Sequence, residues 1–160
     1  MPSDQGAPRQ DLYLDELKIG DRFESGGYTL TEADMIGFAL KYDPQPFHID
    51  VEAAKKTPYE GLIASGFQTL AIGFRVMYAT GFLKSANLGG IGIDELRWLK
   101  PVRPGDTLRT VTEIKEITPS KSKPDRGVMK HQVLVFNQRN ERVLSGLFVI
   151  VVRRRRPGTP

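Results

Sequence analysis

The sequence predicts an α+β domain in which an antiparallel sheet of about five strands packs around one long helix. Two observations carry this expectation. The densest helical run of apolar residues (Leu70, Ile72, Phe74, Val76, Met77, Tyr78) lies in the first half of the chain, whereas the strand-like runs lie in the second. Helices and strands are therefore segregated rather than alternating, which argues against parallel βαβ units.

Bulk composition sets limits on function. A chain of 160 residues with 39% hydrophobic and 26% charged residues fits a single folded domain. Its core is modest, so burial in an oligomer would help it. It has no cysteine, which excludes disulfides, thiol nucleophiles and zinc–thiolate sites and favours a reducing, cytoplasmic setting. The polar stretch Met1 to Asp11 is no secretory signal. The longest late apolar run, Leu147 to Val152, is far short of the roughly 20 residues that span a bilayer. A soluble protein without a membrane partner is expected.

The net charge is +4, and Arg153, Arg154, Arg155 and Arg156 supply four of the positive charges in one run. The remainder is close to neutral, and no aromatic residues interleave the run. It is therefore expected to be a solvated tail rather than a nucleic-acid site. The expected organisation is a disordered segment over 1–10, one domain over 11–153 and a basic, disordered tail over 154–160.

Each element has its own signal. Gly20 to Tyr28 suits a short strand with a turn at Gly26–Gly27. Thr31 is a helix N-cap with Asp34 in the first turn, and Met35, Ile36, Phe38, Ala39 and Leu40 suit a short amphipathic helix ending near Lys41. In Asp43-Pro44-Gln45-Pro46-Phe47-His48 the two prolines predict a rigid, extended loop without helix. Asp50 opens another short helix that Pro58 to Gly61 breaks. From Ser65 runs the longest helix, too densely apolar for a surface element, ending near Gly81. Ile91 to Trp98, Leu108 to Ile114, Met129 to Phe136 and Val143 to Val152 supply the strands, with a hairpin tip at Asn137–Glu141.

Two segments carry chemistry. In Tyr42 to Asp50, His48 is the side chain best suited to proton transfer near neutral pH, and Asp43 precedes it by five residues. If the loop curls, both can hold one water. Taken alone, such a segment more often builds a helix cap and a hydrogen-bonded histidine, with Asp50 capping the next helix. The second segment is Gly61-Leu62-Ile63-Ala64-Ser65-Gly66-Phe67. A small-residue helix entry exposes backbone N–H groups that suit a negative oxygen, and Gly66 permits close approach. Taken alone, Ser65 is an ordinary N-cap and Gly66 a packing glycine.

Together the segments resemble the MaoC-like dehydratases, which include the (R)-specific enoyl-CoA hydratases. That family's motif runs approximately Asp-x-Asn-Pro-x-His, then Asp, an Ala/Thr stretch and Ile-Ala-His-Gly. Here it stands as Asp43-Pro44-Gln45-Pro46-Phe47-His48, then Asp50, Ala53, Ala54 and Thr57, then Ile63-Ala64-Ser65-Gly66. The stretch Asp94 to Asp106, ending Pro101-Val102-Arg103-Pro104-Gly105-Asp106, resembles the family's strand-and-turn signature. The resemblance spans about residues 12 to 153.

The resemblance implies a hot-dog fold and a dimer, or higher homo-oligomer, with its site near the subunit interface. It implies that Asp43 and His48 activate a water and that the Gly66 N–H faces a thioester carbonyl. Gln45, Ser65 and Phe67 would contact substrate. The implied reaction is reversible hydration of a trans-2-enoyl-CoA to an (R)-3-hydroxyacyl-CoA, a lyase step of fatty acid metabolism. It needs no metal and no cofactor beyond the coenzyme A of the substrate. Gln45 departs from the family's Asn and Ser65 from its His, which bears on substrate choice. An acyl-CoA thioesterase and a non-catalytic acyl-CoA-binding subunit are the alternatives.

Other residues have plainer expectations. Tyr42, Tyr59, Phe67, Phe74, Met77 and Phe82 suit either an acyl tunnel or ordinary core, more often the latter. His131 is expected at the surface. Two histidines and no cysteine make a metal site unexpected. Arg97, Lys100 and Arg103 are candidates for the coenzyme phosphates.

Overall fold

The computed structural model describes residues 11–155. The expectations for 1–10 and for 156–160 lie outside the described residues.

Helices dominate the first half. Thr31 caps α1 (Glu32–Tyr42), its hydroxyl accepting from the Asp34 N–H while the Asp34 carboxylate reaches back to the Thr31 N–H. Then come α2 (Pro46–Ile49), α3 (Val51–Lys55) and α4 (Gly66–Tyr78). Asp50 and Ser65 cap α3 and α4 through their side-chain oxygens. The extended loop expected across the prolines is corrected here. Pro46 begins a one-turn helix, because at the first helical position its fixed φ fits and its missing N–H is not needed.

Six strands form the sheet: β1 (Arg22–Glu24), β2 (Tyr28–Thr29), β3 (Asn87–Trp98), β4 (Thr107–Pro119), β5 (Arg126–Phe136) and β6 (Arg142–Arg153). Their order is β1-β4-β5-β6-β3, with β2 also paired to β4, and every pairing is antiparallel. The single strand expected over Gly20 to Tyr28 is thus two short ones. The long strand β3 forms one edge.

Helix α4 lies on the inner face of the sheet. Gly73 sets how closely: a Cβ there would fall 2.6 Å from Val135 Cγ2. Thr110 Oγ1 donates to the Gly73 carbonyl at 3.0 Å, tying helix to sheet. Around this contact sit Leu30, Met35, Leu108, Ile114, Met129, Val133 and Val135, all buried. The expectation of a mostly buried α4 is corrected: Gln68, Thr69, Gly73, Val76 and Met77 are buried, but Phe67, Phe74 and Tyr78 are exposed in the single chain. The sheet covers one side of the helix and leaves the other open.

His131 is also corrected. It is 1% exposed, because β5 alternates with period two and places it on the inner row with Met129, Val133 and Val135. At the far end, the ordered chain runs past the expected boundary. Arg154 N–H donates to the Asp125 carbonyl, and Arg155 pairs with Glu16 and lies over the Tyr13 ring.

Candidate active site

The site begins where α1 stops. Asp43 is the C-cap of α1, its N–H donating to the Ala39 carbonyl at 2.9 Å. Its own carbonyl then accepts from the Gln45 N–H at 2.8 Å, which turns the chain into α2 and brings His48 back towards Asp43. His48 is buried, and its Nδ1 lies 2.8 Å from the Ile63 carbonyl oxygen. A carbonyl oxygen can only accept, so Nδ1 carries a hydrogen and Nε2 is the nitrogen free to exchange a proton. The Ile63 N–H donates in return to the Phe47 carbonyl at 3.2 Å. The imidazole is therefore fixed by backbone on the segment entering α4.

His48 Nε2 stands 3.3 Å from Asp43 Oδ2. The same oxygen accepts from Ser65 Oγ at 2.7 Å, and Asp43 Oδ1 accepts from Gln45 Nε2 at 2.7 Å. Burial by itself raises the Asp43 pKa. The donors Gln45 and Ser65, together with His48, outweigh it and hold the carboxyl below its ordinary value. Asp43 is thus a carboxylate at neutral pH with one oxygen directed at the imidazole.

The pair opens into a cavity of about 530 Å³, whose other walls include Tyr59, Gly66, Phe67, Trp98 and Lys100. Ser65 Oγ also accepts from the Phe67 N–H at 3.2 Å. That leaves the Gly66 N–H as a first-turn amide of α4 without an intrahelical acceptor. All six expected site residues meet around this space: Asp43, Gln45, His48, Gly66 and Phe67 line it, and Ser65 lies behind Asp43. Gln45, expected to contact substrate, spends its amide on Asp43.

Trp98 is the residue that sequence reasoning missed. Its indole N–H donates to the Gly66 carbonyl at 2.8 Å, and a Cβ on Gly66 would lie 2.5 Å from that nitrogen. Gly66 is therefore a glycine because Trp98 lies against it. The signal was available, since Trp98 is the lone tryptophan and sits inside the strand-and-turn stretch Asp94 to Asp106. Only the fold shows that β3 passes the mouth of α4.

The other expectations divide. Lys100 lines the cavity, with Nζ 2.7 Å from Glu141 Oε1. Arg97 donates to its neighbour's carbonyl at Leu96 and Arg103 to that of Tyr59. Tyr59 and Phe67 line the cavity, Tyr42 is exposed on α1, and Phe74, Met77 and Phe82 border a separate recess. Among the described residues, no three His, Cys, Asp or Glu side chains converge as metal ligands. No described helix is long and apolar enough to cross a membrane.

Comparison with known proteins now bears on this geometry. The model of the MaoC like domain matches residues 16–135. The chain belongs to the MaoC-like family. The crystal structure of a MaoC-like dehydratase from Rhodospirillum rubrum is similar, with a TM-score of 0.86 and 43% identity, covering 91% of this chain and 99% of that one. YdeM of Bacillus subtilis, a protein of uncharacterised function, is 33% identical over 143 residues, 89% of this chain and 100% of its own. A 3-hydroxybutyryl-CoA dehydratase of Methylorubrum extorquens is 28% identical over 112 residues, 69% of this chain and 68% of its own. The fold of this MaoC-like chain is the hot-dog fold, a sheet laid on the single long helix α4.

Proposed function

We propose that this MaoC-like protein reversibly adds water to a trans-2-enoyl-CoA, giving an (R)-3-hydroxyacyl-CoA. One observation carries the reading. A carboxylate oxygen and an exchangeable imidazole nitrogen lie 3.3 Å apart, both lining the same cavity, and each is held from behind by other groups. Two such groups can share one water and move protons to and from it. The dehydratase named among the relatives acts on a CoA thioester, in keeping with this chemistry.

The step balances as net addition of H and OH. The water between Asp43 and His48 bonds through oxygen to C3 of the enoyl group, and its proton passes to the pair. The thioester oxygen gains negative charge and accepts a hydrogen bond from the Gly66 N–H at the positive end of α4. A proton from the pair then reaches C2. No electrons leave or enter, so the reaction calls for no redox cofactor. Lys100, at the wall of the cavity, is the basic side chain placed to meet a coenzyme phosphate.

A dimer is part of the proposal. The edge strand β3 exposes Ile91 and Ile93 beside the open side of α4, and a second copy of the chain would cover that apolar surface. A cytoplasmic setting also belongs to this reading and rests on the absence of cysteine.

The test follows loss of enoyl-thioester absorbance with crotonyl-CoA, alongside Asp43→Asn and His48→Ala. Loss without free thiol, reduced roughly 100-fold or more in both variants, is expected. Free thiol released in step with the loss would make the protein a thioesterase. No loss over short, long and branched enoyl-CoAs would make it a binding subunit.

A further inference from the structure

Trp98 takes no part in the reaction above, yet the backbone is bent to place it. Strand β3 pairs with β6 in uneven register between Asp94 and Arg97, and Glu95 within that stretch has a φ of +53°. A bulge of this kind re-aims the residues that follow it. Here the strand ends with the indole laid on the first turn of α4. A Cβ on Gly66 would meet three indole atoms, at 2.5, 2.7 and 3.0 Å. The Phe67 ring stands edge-on to the indole, with centroids 6.1 Å apart.

Three hydrogen bonds run from this indole to the acid–base pair. The indole N–H donates to the Gly66 carbonyl at 2.8 Å. That carbonyl shares one planar peptide group with the Phe67 N–H, which donates to Ser65 Oγ at 3.2 Å. Ser65 Oγ donates in turn to Asp43 Oδ2 at 2.7 Å, the oxygen that lies 3.3 Å from His48 Nε2. Every link points the same way, from indole to carboxylate. A peptide whose carbonyl accepts is a stronger N–H donor, and a hydroxyl that accepts donates more strongly, by about 10–30% per bond. Accepting from Phe67 also leaves the single Ser65 hydroxyl hydrogen aimed at Asp43.

We propose that Trp98 is a positioning residue for the acid–base pair: through the Gly66–Phe67 peptide and the Ser65 hydroxyl, its indole N–H holds the Asp43 carboxylate against His48. The proposal rests on the hydratase reading for the chemical task of the pair, not for the chain of bonds. The other groups on Asp43 are local, with Gln45 donating to Oδ1 and His48 facing Oδ2. Tyr59 and Lys100 also line the cavity, and the Lys100 ammonium lies on Glu141. Trp98 thus carries the placement of β3 onto a pair built by α1 and α2.

The test uses the fact that Trp98 is the lone tryptophan, so replacing that amino acid throughout the protein alters one site. Benzothienylalanine keeps the two fused rings and puts sulfur in place of the N–H, whereas 5-fluorotryptophan keeps the shape and donates more strongly. Titration of Asp43 is read in the whole protein, without substrate, by ¹³C NMR of its carboxyl carbon. The acid limb of kcat/KM for crotonyl-CoA hydration is followed beside it. Loss of the N–H weakens the Ser65 bond to the carboxylate, so the Asp43 midpoint is expected to rise by about 0.3 in pH. Fluorination should lower it. In a Ser65→Ala background neither replacement should move the midpoint, because the chain is already cut. An unmoved midpoint with Ser65 present, or equal moves with and without Ser65, would overturn the proposal. Midpoints that move as stated in a protein that does not hydrate crotonyl-CoA would support the chain and overturn the hydratase reading alone.

Discussion

Ser65 and Asp43 lie 22 residues apart in sequence and are joined by a 2.7 Å hydrogen bond between hydroxyl and carboxylate. The same hydroxyl caps α4 by accepting the Phe67 N–H. One side chain therefore links the start of the long helix to the charge state of the acid–base pair.

Ser65→Ala should consequently change both stability and pH dependence. Loss of the cap costs about 1 kcal/mol, read by chemical unfolding. Loss of the donor lets the Asp43 pKa rise towards its ordinary value, because burial then meets less opposition. The acid limb of kcat/KM for enoyl-CoA hydration moves to higher pH. A profile with an unmoved limb would show that the hydroxyl does not tune Asp43.

Trp98 is the only tryptophan and lies at the cavity wall. Its fluorescence is expected to change in a saturable way when a CoA thioester is added, and to stay constant with an unrelated anion such as sulfate. Gly66→Ala, which forces a Cβ into the indole, should shift the emission of the free protein and weaken thioester binding about tenfold or more.

Burial of His131 predicts a dependence of stability on acidity. Its folded-state pKa of about 4 lies below the ordinary 6.5, so the unfolded chain binds the extra proton more readily. Its contribution is complete above about pH 6.5 and is lost progressively as the pH falls towards 4, by up to roughly 3 kcal/mol. Urea midpoints taken between pH 7 and pH 4 should fall along this curve. His131→Phe should flatten it, and an identical slope in the variant would refute the assignment.

Close packing at Gly73 leaves no room for a side chain. Gly73→Ala should destabilise the fold by about 1–3 kcal/mol, as overpacked cores do. Combining it with Val135→Ala, which removes the contacted methyl groups, should recover part of that loss. Full additivity of the two changes in thermal unfolding would show that the two sites do not touch.

Several features were legible because they are local. The caps at Thr31, Asp50 and Ser65 follow from short polar side chains that accept from amides two or three residues on. The inner-row position of His131 was also signalled locally, against the surface position expected from its polarity, since it stands two residues from Met129 and two from Val133 in an alternating strand. A histidine in such a row is as buried as its neighbours, whatever its polarity suggests.

Local chemistry therefore determined the helix starts at Thr31, Asp50 and Ser65 and most of the strands, whereas the pairing of Asp43 with His48 was implied only by the family resemblance and is brought about by the turn of α2. The segregation of helices and strands likewise determined the α+β class. Tertiary structure alone decided that Trp98 covers Gly66, that the Ile63 carbonyl sets the imidazole tautomer and that one side of α4 stays open. Each of these depends on where elements distant in sequence come to rest, and that is decided by burial of the shared core. Burial is a property of the assembled surface and leaves no mark on neighbouring residues of the chain.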